Sequence, residues 1–265
     1  MSTDRGYALV TGASQGIGRA IAVELARQGF GIIATARNRK GLEGLLDEAA
    51  KLNGGRAQLI EADLLEEGAL DRIVQKALEF PISCLVNNAG QANWGMFEEL
   101  SLHEQLRMMR LNMEVPVQLT HKLLPHLLKA KRPYILNISS MTAFHALASM
   151  AIYSASKAFI LRWSRSLRIE LKGRVNVTAV CPGTVSTGFI ERAGMQAMED
   201  LANKFATPPE PVARAAVRAM FKNKAVVVPG ATNVLTVKLQ KLMPSAITES
   251  VASGIYLKRL PKRSK

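Results

Sequence analysis

From residue 7 to about 229 the chain alternates short, nearly unbroken apolar runs with longer stretches whose apolar positions recur every three or four residues. The short runs are 7–11, 31–36, 57–62, 83–87, 134–139, 175–181 and 225–228. Continuous apolar runs of this length predict strands covered on both faces, as in a parallel sheet. Helical periodicity spans 17–28, 42–52, 69–80, a long stretch 102–128, then 152–171 and 212–221. Strand and helix in strict alternation predict an α/β fold: a single-domain, Rossmann-type, doubly wound parallel sheet of about seven strands flanked by helices. No repeat, low-complexity segment or linker divides residues 1–230.

Beyond Pro229-Gly230 the pattern changes. Leu235, Leu239 and Leu242 share one helical face and Lys238 and Lys241 lie off it, which predicts a basic amphipathic helix. Residues 231–265 are expected to be a C-terminal helical extension and basic tail, not an independent domain. The apolar stripe is expected to pack on the domain or on a second subunit; contact with a membrane surface, or a lid over a site, is the sharper alternative.

Composition narrows the function classes. With 265 residues, 48% hydrophobic and 21% charged, the chain is long and apolar enough to bury a sizeable core and does not read as disordered. No run approaches the ~18 apolar residues of a membrane-spanning helix. The first six residues leave no room for a signal peptide, so a cytoplasmic location is expected. Cys84 and Cys181 each sit among apolar neighbours, which predicts buried free thiols rather than a disulfide or metal site. The net charge of +14 is concentrated: Lys258, Arg259, Lys262, Arg263 and Lys265 fall in the last eight residues, and Arg37, Arg39 and Lys40 form a second cluster. An anionic membrane surface or a phosphorylated ligand suits such charge, and a solvated chain end is the plain alternative. Neither zinc-ligand spacing nor a nucleic-acid motif with interleaved aromatics is present, so no nucleic-acid partner is expected.

Candidate chemistry begins where the first strand ends, at Thr11-Gly12-Ala13-Ser14-Gln15-Gly16-Ile17-Gly18. Three glycines at a strand-to-helix turn let the backbone approach a pyrophosphate, and the free N–H groups of the next helix favour the anion. The G-x3-G-x-G spacing differs from the commonest dinucleotide fingerprint. Gly12, Ser14, Gln15, Gly16, Ile17 and Gly18 are the candidate phosphate contacts. Arg37 stands nineteen residues after Gly18, at the end of the second strand, with no acid beside it in sequence. A cation there attracts a ribose 2′-phosphate, which predicts NADP(H) over NAD(H). Asp63 and Leu64, at the end of the third strand, are expected to meet the adenine; a helix cap is the alternative reading of Asp63.

Tyr153 and Lys157 lie four apart at a helix start and so share a face. A phenol ordinarily titrates near pH ~10, and a neighbouring cation favours its ionised form. Ser140, thirteen residues before Tyr153, supplies a hydroxyl that could hold a carbonyl oxygen while the tyrosine protonates it.

Taken together, the glycine-rich turn, Asn87-Asn88-Ala89-Gly90, Ser140, Tyr153-x-x-x-Lys157 and Pro182-Gly183 resemble the classical short-chain dehydrogenase/reductases, in order and over roughly the first 190 residues. The resemblance implies an NADP(H)-dependent oxidoreductase acting on a small carbonyl or alcohol substrate. It implies Tyr153 as general acid/base, Lys157 as ribose ligand that lowers the tyrosine's pKa, Ser140 as substrate orienter, and Asn112 as holder of a proton-relay water. It further implies that Asn88, Ala89 and Gly90 shape the central strand end and touch the cofactor. Pro182, Gly183, Val185 and Thr187 are implied at the nicotinamide. Residues 186–208 become the expected substrate loop, where Phe189, Met195, Met198 and Phe205 suggest an apolar ligand. Two departures stand out. Arg132-Pro133 replaces the glycine many relatives have before the fifth strand, and the lysine-bearing C-terminus resembles the hydroxysteroid and long-chain ketoacyl reductase branch. A homodimer is therefore expected rather than a tetramer. A lipid-like 3-ketoacyl or steroid substrate at a membrane surface is the enzymatic alternative, and a catalytically silent NADP(H)-binding sensor or scaffold the non-enzymatic one.

Overall fold

The computed structural model describes residues 5–260, without the side chains of 201–203 and 241. Lys262, Arg263 and Lys265 of the basic tail, and the side chain of Lys241, therefore lie outside the described residues. Seven strands form one sheet: β1 (Tyr7–Thr11), β2 (Gly31–Ala36), β3 (Ala57–Glu61), β4 (Ile82–Asn87), β5 (Tyr134–Ile138), β6 (Asn176–Val180) and β7 (Val226–Val227). Their order is β3-β2-β1-β4-β5-β6-β7 and every pairing is parallel. The chain reverses its direction of travel between β1 and β4. In open α/β sheets, ligands bind at that point, beyond the carboxyl ends of the strands.

Alternation along each strand builds two cores. Ala8 and Val10 of β1, with Ile32, Cys84, Val86 and Leu136, face α1 (Gly16–Arg27), α2 (Arg39–Asn53) and α9 (Pro209–Phe221). Leu9, Ile33, Leu85 and Ile135 face α3 (Ala69–Ala77) and α5 (Val115–Leu127). Leu85 is wholly buried, and cutting such a residue to alanine costs about 2–5 kcal/mol. Cys84 and Cys181 are buried free thiols, as expected.

The stretch expected as one helix over 102–128 is instead α4 (Leu102–Met109), a π turn (Arg110–Glu114) and α5. Pro116 is the cause. It has no N–H to give to the carbonyl of Asn112 four residues earlier, so the α ladder cannot run through; Val115 bonds instead to the carbonyl of Arg110. Such π turns gather at functional sites.

After β5 come a 3-10 turn (Met141–Phe144), α6 (Ala151–Glu170), then α7 (Phe189–Arg192), a second 3-10 turn (Gln196–Met198) and α8 (Glu199–Phe205). The chain ends in α10 (Ala231–Leu242) and α11 (Ser245–Leu257). Leu235, Leu239 and Leu242, expected to find cover on the domain or on another subunit, point outward in this chain at 58%, 51% and 83% exposure, while Val237 is buried. Among the described residues no helix is long and apolar enough to cross a membrane.

Candidate active site

The glycine-rich turn is held from below by β4. Thr11 Oγ1 accepts from the N–H groups of Asn88 and Ala89, each at 3.0 Å, and Asn88 Nδ2 donates to the carbonyls of Thr11 (2.9 Å) and Gly12 (3.2 Å). Asn88 thus ties the end of β4 to the turn, and its side chain is spent there. Gly18 has to be glycine: a Cβ there would stand 2.3 Å from Asn88 Nδ2 and 2.4 Å from the carbonyl of Gly12. Gly16 takes φ +59°, and its open side receives Thr187. Helix α1 begins with no side-chain cap and no acid in its first turn. Its N–H groups and dipole are thereby left for an anion brought from outside, so this cradle fits a dinucleotide pyrophosphate.

The same turn touches the start of α2, since a Cβ on Gly41 would meet the carbonyl of Ser14 at 2.8 Å. This contact carries Arg37 to the rim of the cradle. Its guanidinium is mostly exposed and stands 3.6 Å from Asp63. Along the chain Arg37 has no acid beside it, but the fold supplies one. Asp63 is itself committed: Oδ1 accepts from the N–H of Leu65 (3.0 Å) and Oδ2 pairs with Arg107 (3.1 Å). Both oxygens thus have protein partners where an adenine contact was expected. Leu64 is buried in the core beside α3.

At the chemical end, Tyr153 and Lys157 are both buried on the inner face of α6. Ser140, whose Oγ accepts from the N–H of Thr142 (3.1 Å), favours ionisation of Tyr153, yet burial dominates and pushes the phenol up to about 12. Lys157 Nζ donates to the carbonyl of Ile138 (3.1 Å) and lies 5.8 Å from the Tyr153 ring centre. Burial pulls the ammonium down to about 8, partly offset by Cys181. In the chain by itself burial sets the direction for the phenol, with Ser140 lowering it and Tyr256 raising it further.

Asn112, in the π turn, is fully buried. Its side chain exchanges two hydrogen bonds with the backbone of Gln91 (2.9 and 3.0 Å) and donates to Ser156 (3.0 Å). A Cβ on Gly90 would meet Asn112 Oδ1 at 3.1 Å and Lys157 Nζ at 3.3 Å, so Gly90, Asn112 and Lys157 converge. Underneath, Asn87 and Asn137 bond each other (2.8 Å) and reach Thr120 and Ser164. This buried polar network fixes β4, β5, α5 and α6 relative to one another.

The segment after β6 closes over the site. A bridge between Val185 and Thr207 pins the base of the expected substrate loop. Thr187 rests on Gly16, and Gly183 abuts Asn233. Phe189 packs on Tyr153 with ring centres 5.8 Å apart. Met195 and Met198 join Trp94, Leu147, Met150 and Tyr153 in a separate apolar cluster. Phe205 does not join it; it is 64% exposed.

Several residues here escape sequence reasoning. Trp94, in the cluster around Tyr153, donates to Ser149 (3.0 Å), which holds a left-handed φ of +63°. Tyr256, near the end of α11, packs against the same cluster and is close enough to Tyr153 to disfavour its ionisation. Arg192 donates to the carbonyl of Thr187 (3.2 Å); partial burial disfavours its charge, Glu191 partly offsets this, and nearby Arg37 adds to it. These three contributors have no local motif. They reach the site only through tertiary packing. A cavity of about 760 Å³ at the other end of the sheet, among Gly6, Phe30, Pro81 and Tyr134, includes none of these groups.

Comparison with known proteins agrees with this geometry. Residues 6–197 match the short chain dehydrogenase family. The ketoacyl reductase HetN of Nostoc sp. is 37% identical over 239 residues, covering 89% of this chain and 82% of that protein. Among solved structures, a short-chain dehydrogenase from Sphingobium yanoikuyae in complex with NADPH superposes with a TM-score of 0.78 at 29% identity, covering 89% of this chain and 94% of the other. A Burkholderia phymatum homologue in complex with NAD superposes at 0.83 with 21% identity, over 100% of this chain and 99% of the other. At that identity the likeness speaks to the fold alone.

Proposed function

We propose, from the premise that this chain belongs to the short-chain dehydrogenase/reductase family and is a nucleotide-binding oxidoreductase, that it reduces an apolar carbonyl compound with NADPH. One observation carries the reading. Tyr153 belongs to a buried apolar cluster with Ser140 near enough to favour its ionisation, while Gly90, Asn112 and Lys157 converge on one another.

NADPH, when bound, supplies the hydride. The 12–18 turn and the start of α1 would hold its pyrophosphate, Arg37 its 2′-phosphate, and Val185 and Thr187 its nicotinamide amide. Asp63 and Leu64 border the adenine end, and Pro182 and Gly183 shape the nicotinamide end. Ser140 donates a hydrogen bond to the substrate oxygen. Tyr153, kept protonated by burial, gives its proton to that oxygen as negative charge develops. Lys157, held by the carbonyl of Ile138, would bind the cofactor's ribose and stabilise the tyrosinate once the proton has left. Asn112, its carbonyl denied an α-helical donor by Pro116, holds the water through which the proton is replaced.

Burial keeps the phenol protonated in the chain by itself, the form needed to give a proton to a carbonyl oxygen. The ketoacyl reductase relative and the apolar cluster of Met195, Met198, Trp94 and Leu147 beside Tyr153 favour a 3-ketoacyl or similarly lipid-like substrate within that class. The test is NADPH consumption across ketoacyl esters, steroids, aldehydes, quinones and sugars, with Tyr153→Phe as control. Turnover on an apolar carbonyl, lost in the variant, is expected. NADPH binding with no turnover on any member of the panel would instead indicate a sensor or scaffold.

A further inference from the structure

The helices α10 and α11, joined through Met243-Pro244, present an apolar face that nothing among the described residues covers. On α10 the stripe is Leu235, Leu239 and Leu242. On α11 it is Ile247, Val251 and Ile255, four apart, at 47%, 62% and 40% exposure. The adjoining stripe of α11 turns the other way. Thr248 is buried, and Ala252 and Tyr256 pack on the cluster that contains Tyr153, Trp94 and Met198. Ser253 Oγ accepts from the N–H of Ala148 (3.0 Å), fixing the helix to the loop before α6. One helix therefore lies between the apolar cluster around the reacting tyrosine and an exposed apolar surface.

Charge says what covers that surface. From residue 231 to 265 there are seven lysines and arginines against the single acid Glu249. Glu249 is no counter-charge for the outer face, since it is half-buried and near enough to His145 to favour that imidazole's charge. A second copy docked through this face would bring together two segments that each carry seven cations and one acid. An anionic lipid surface satisfies both the leucines and the lysines, as it does for interfacial amphipathic helices.

We propose that the α10–α11 face rests on an anionic membrane surface, and that the apolar substrate passes from the lipid beside α11 into the Tyr153 pocket. The docking stands on its own; the substrate route rests on the reductase reading above. The test is flotation of the full chain with vesicles of phosphatidylcholine alone and of phosphatidylcholine with ~30% phosphatidylserine, at low and high salt. Wild type is compared with Leu239→Glu and Val251→Glu, whose positions are exposed and outside the catalytic set. Binding to the anionic vesicles, weakened by salt and at least about tenfold in each variant, is expected. Thermal unfolding and NADPH turnover on a water-soluble carbonyl should be unchanged. Absence of flotation, equal binding to both lipids, or a dimer in solution that Val251→Glu disperses would each overturn the docking. Flotation needs no turnover, so its failure is separable from failure of the reductase reading. If docking holds, a lipid-embedded ketoacyl substrate should lose turnover in the variants while the soluble one does not; equal rates on both would overturn the route.

Discussion

The cofactor cradle and the substrate pocket are built on different principles. The cradle is made of backbone: Gly12, Gly16 and Gly18, the uncapped start of α1, and Asn88 bonded to the carbonyls beneath. Nearly all of it comes from two neighbouring strands and their loops. The pocket is made of side chains drawn from α6, the loop after β6, the segment after β4 and α11. A backbone site tolerates little change, because added atoms collide. A side-chain site can be reshaped one residue at a time, so the same cradle can serve many substrates.

The largest test of that contrast removes function from each part separately. Gly18→Val should abolish NADPH binding, because its Cβ alone would collide with Asn88 and with the carbonyl of Gly12. Tyr153→Phe should keep NADPH binding within about twofold while lowering kcat by about 10³-fold, the usual scale for losing a positioned acid. Fluorescence titration of NADPH and steady-state rates on one carbonyl substrate read both. If Gly18→Val bound NADPH normally, the cradle would not be the cofactor site.

A smaller effect is expected at the rim. Arg37→Asp should lower the NADPH/NADH preference by about 10²-fold, since a charge-assisted contact becomes a repulsion. Asp63, 3.6 Å from Arg37, and Arg107 beyond it complicate the outcome. In that variant Arg107 can turn toward either the new carboxylate or Asp63. The companion variant Arg192→Gln sharpens the reading: a raised KM for NADPH at unchanged kcat would add the loop's cation to the phosphate site. An unchanged cofactor ratio in Arg37→Asp would remove that site from Arg37.

The fold was legible because parallel strands covered on both faces are apolar end to end, and all seven appear within a residue or two of their expected limits. The cradle was legible for a related reason: glycine at a tight turn is a local demand. Asn112 came only from family resemblance, although Pro116 four residues later already marked where the helix must break. Arg192, Trp94 and Tyr256 were not legible. Each acts through partners more than fifty residues away or in an irregular loop, and no periodicity encodes that. The exposed stripe of α10 shows the limit from the other side. The sequence revealed an amphipathic helix but not which surface its apolar face meets.

The smallest expected effect concerns stability. Lys157 falls from 10.5 to about 8 on folding because it is buried. Below about pH 8 the folded, cofactor-free chain holds a charge away from water, and the unfolded chain holds the same charge in it. Between about 8 and 10.5 the unfolded chain binds more protons, so stability rises with pH across that window. Lys157→Met removes the charge and also the hydrogen bond to Ile138. The net gain is about 1–2 kcal/mol near pH 7, or a few degrees in Tm for a chain of this size. The gain should shrink toward pH 9.5, where the wild-type lysine is already neutral, and activity should be lost throughout. Thermal melts of both proteins across pH 7–9.5 decide it. A variant less stable than wild type at pH 7 would make Lys157 a structural anchor rather than a strained group kept for its chemistry.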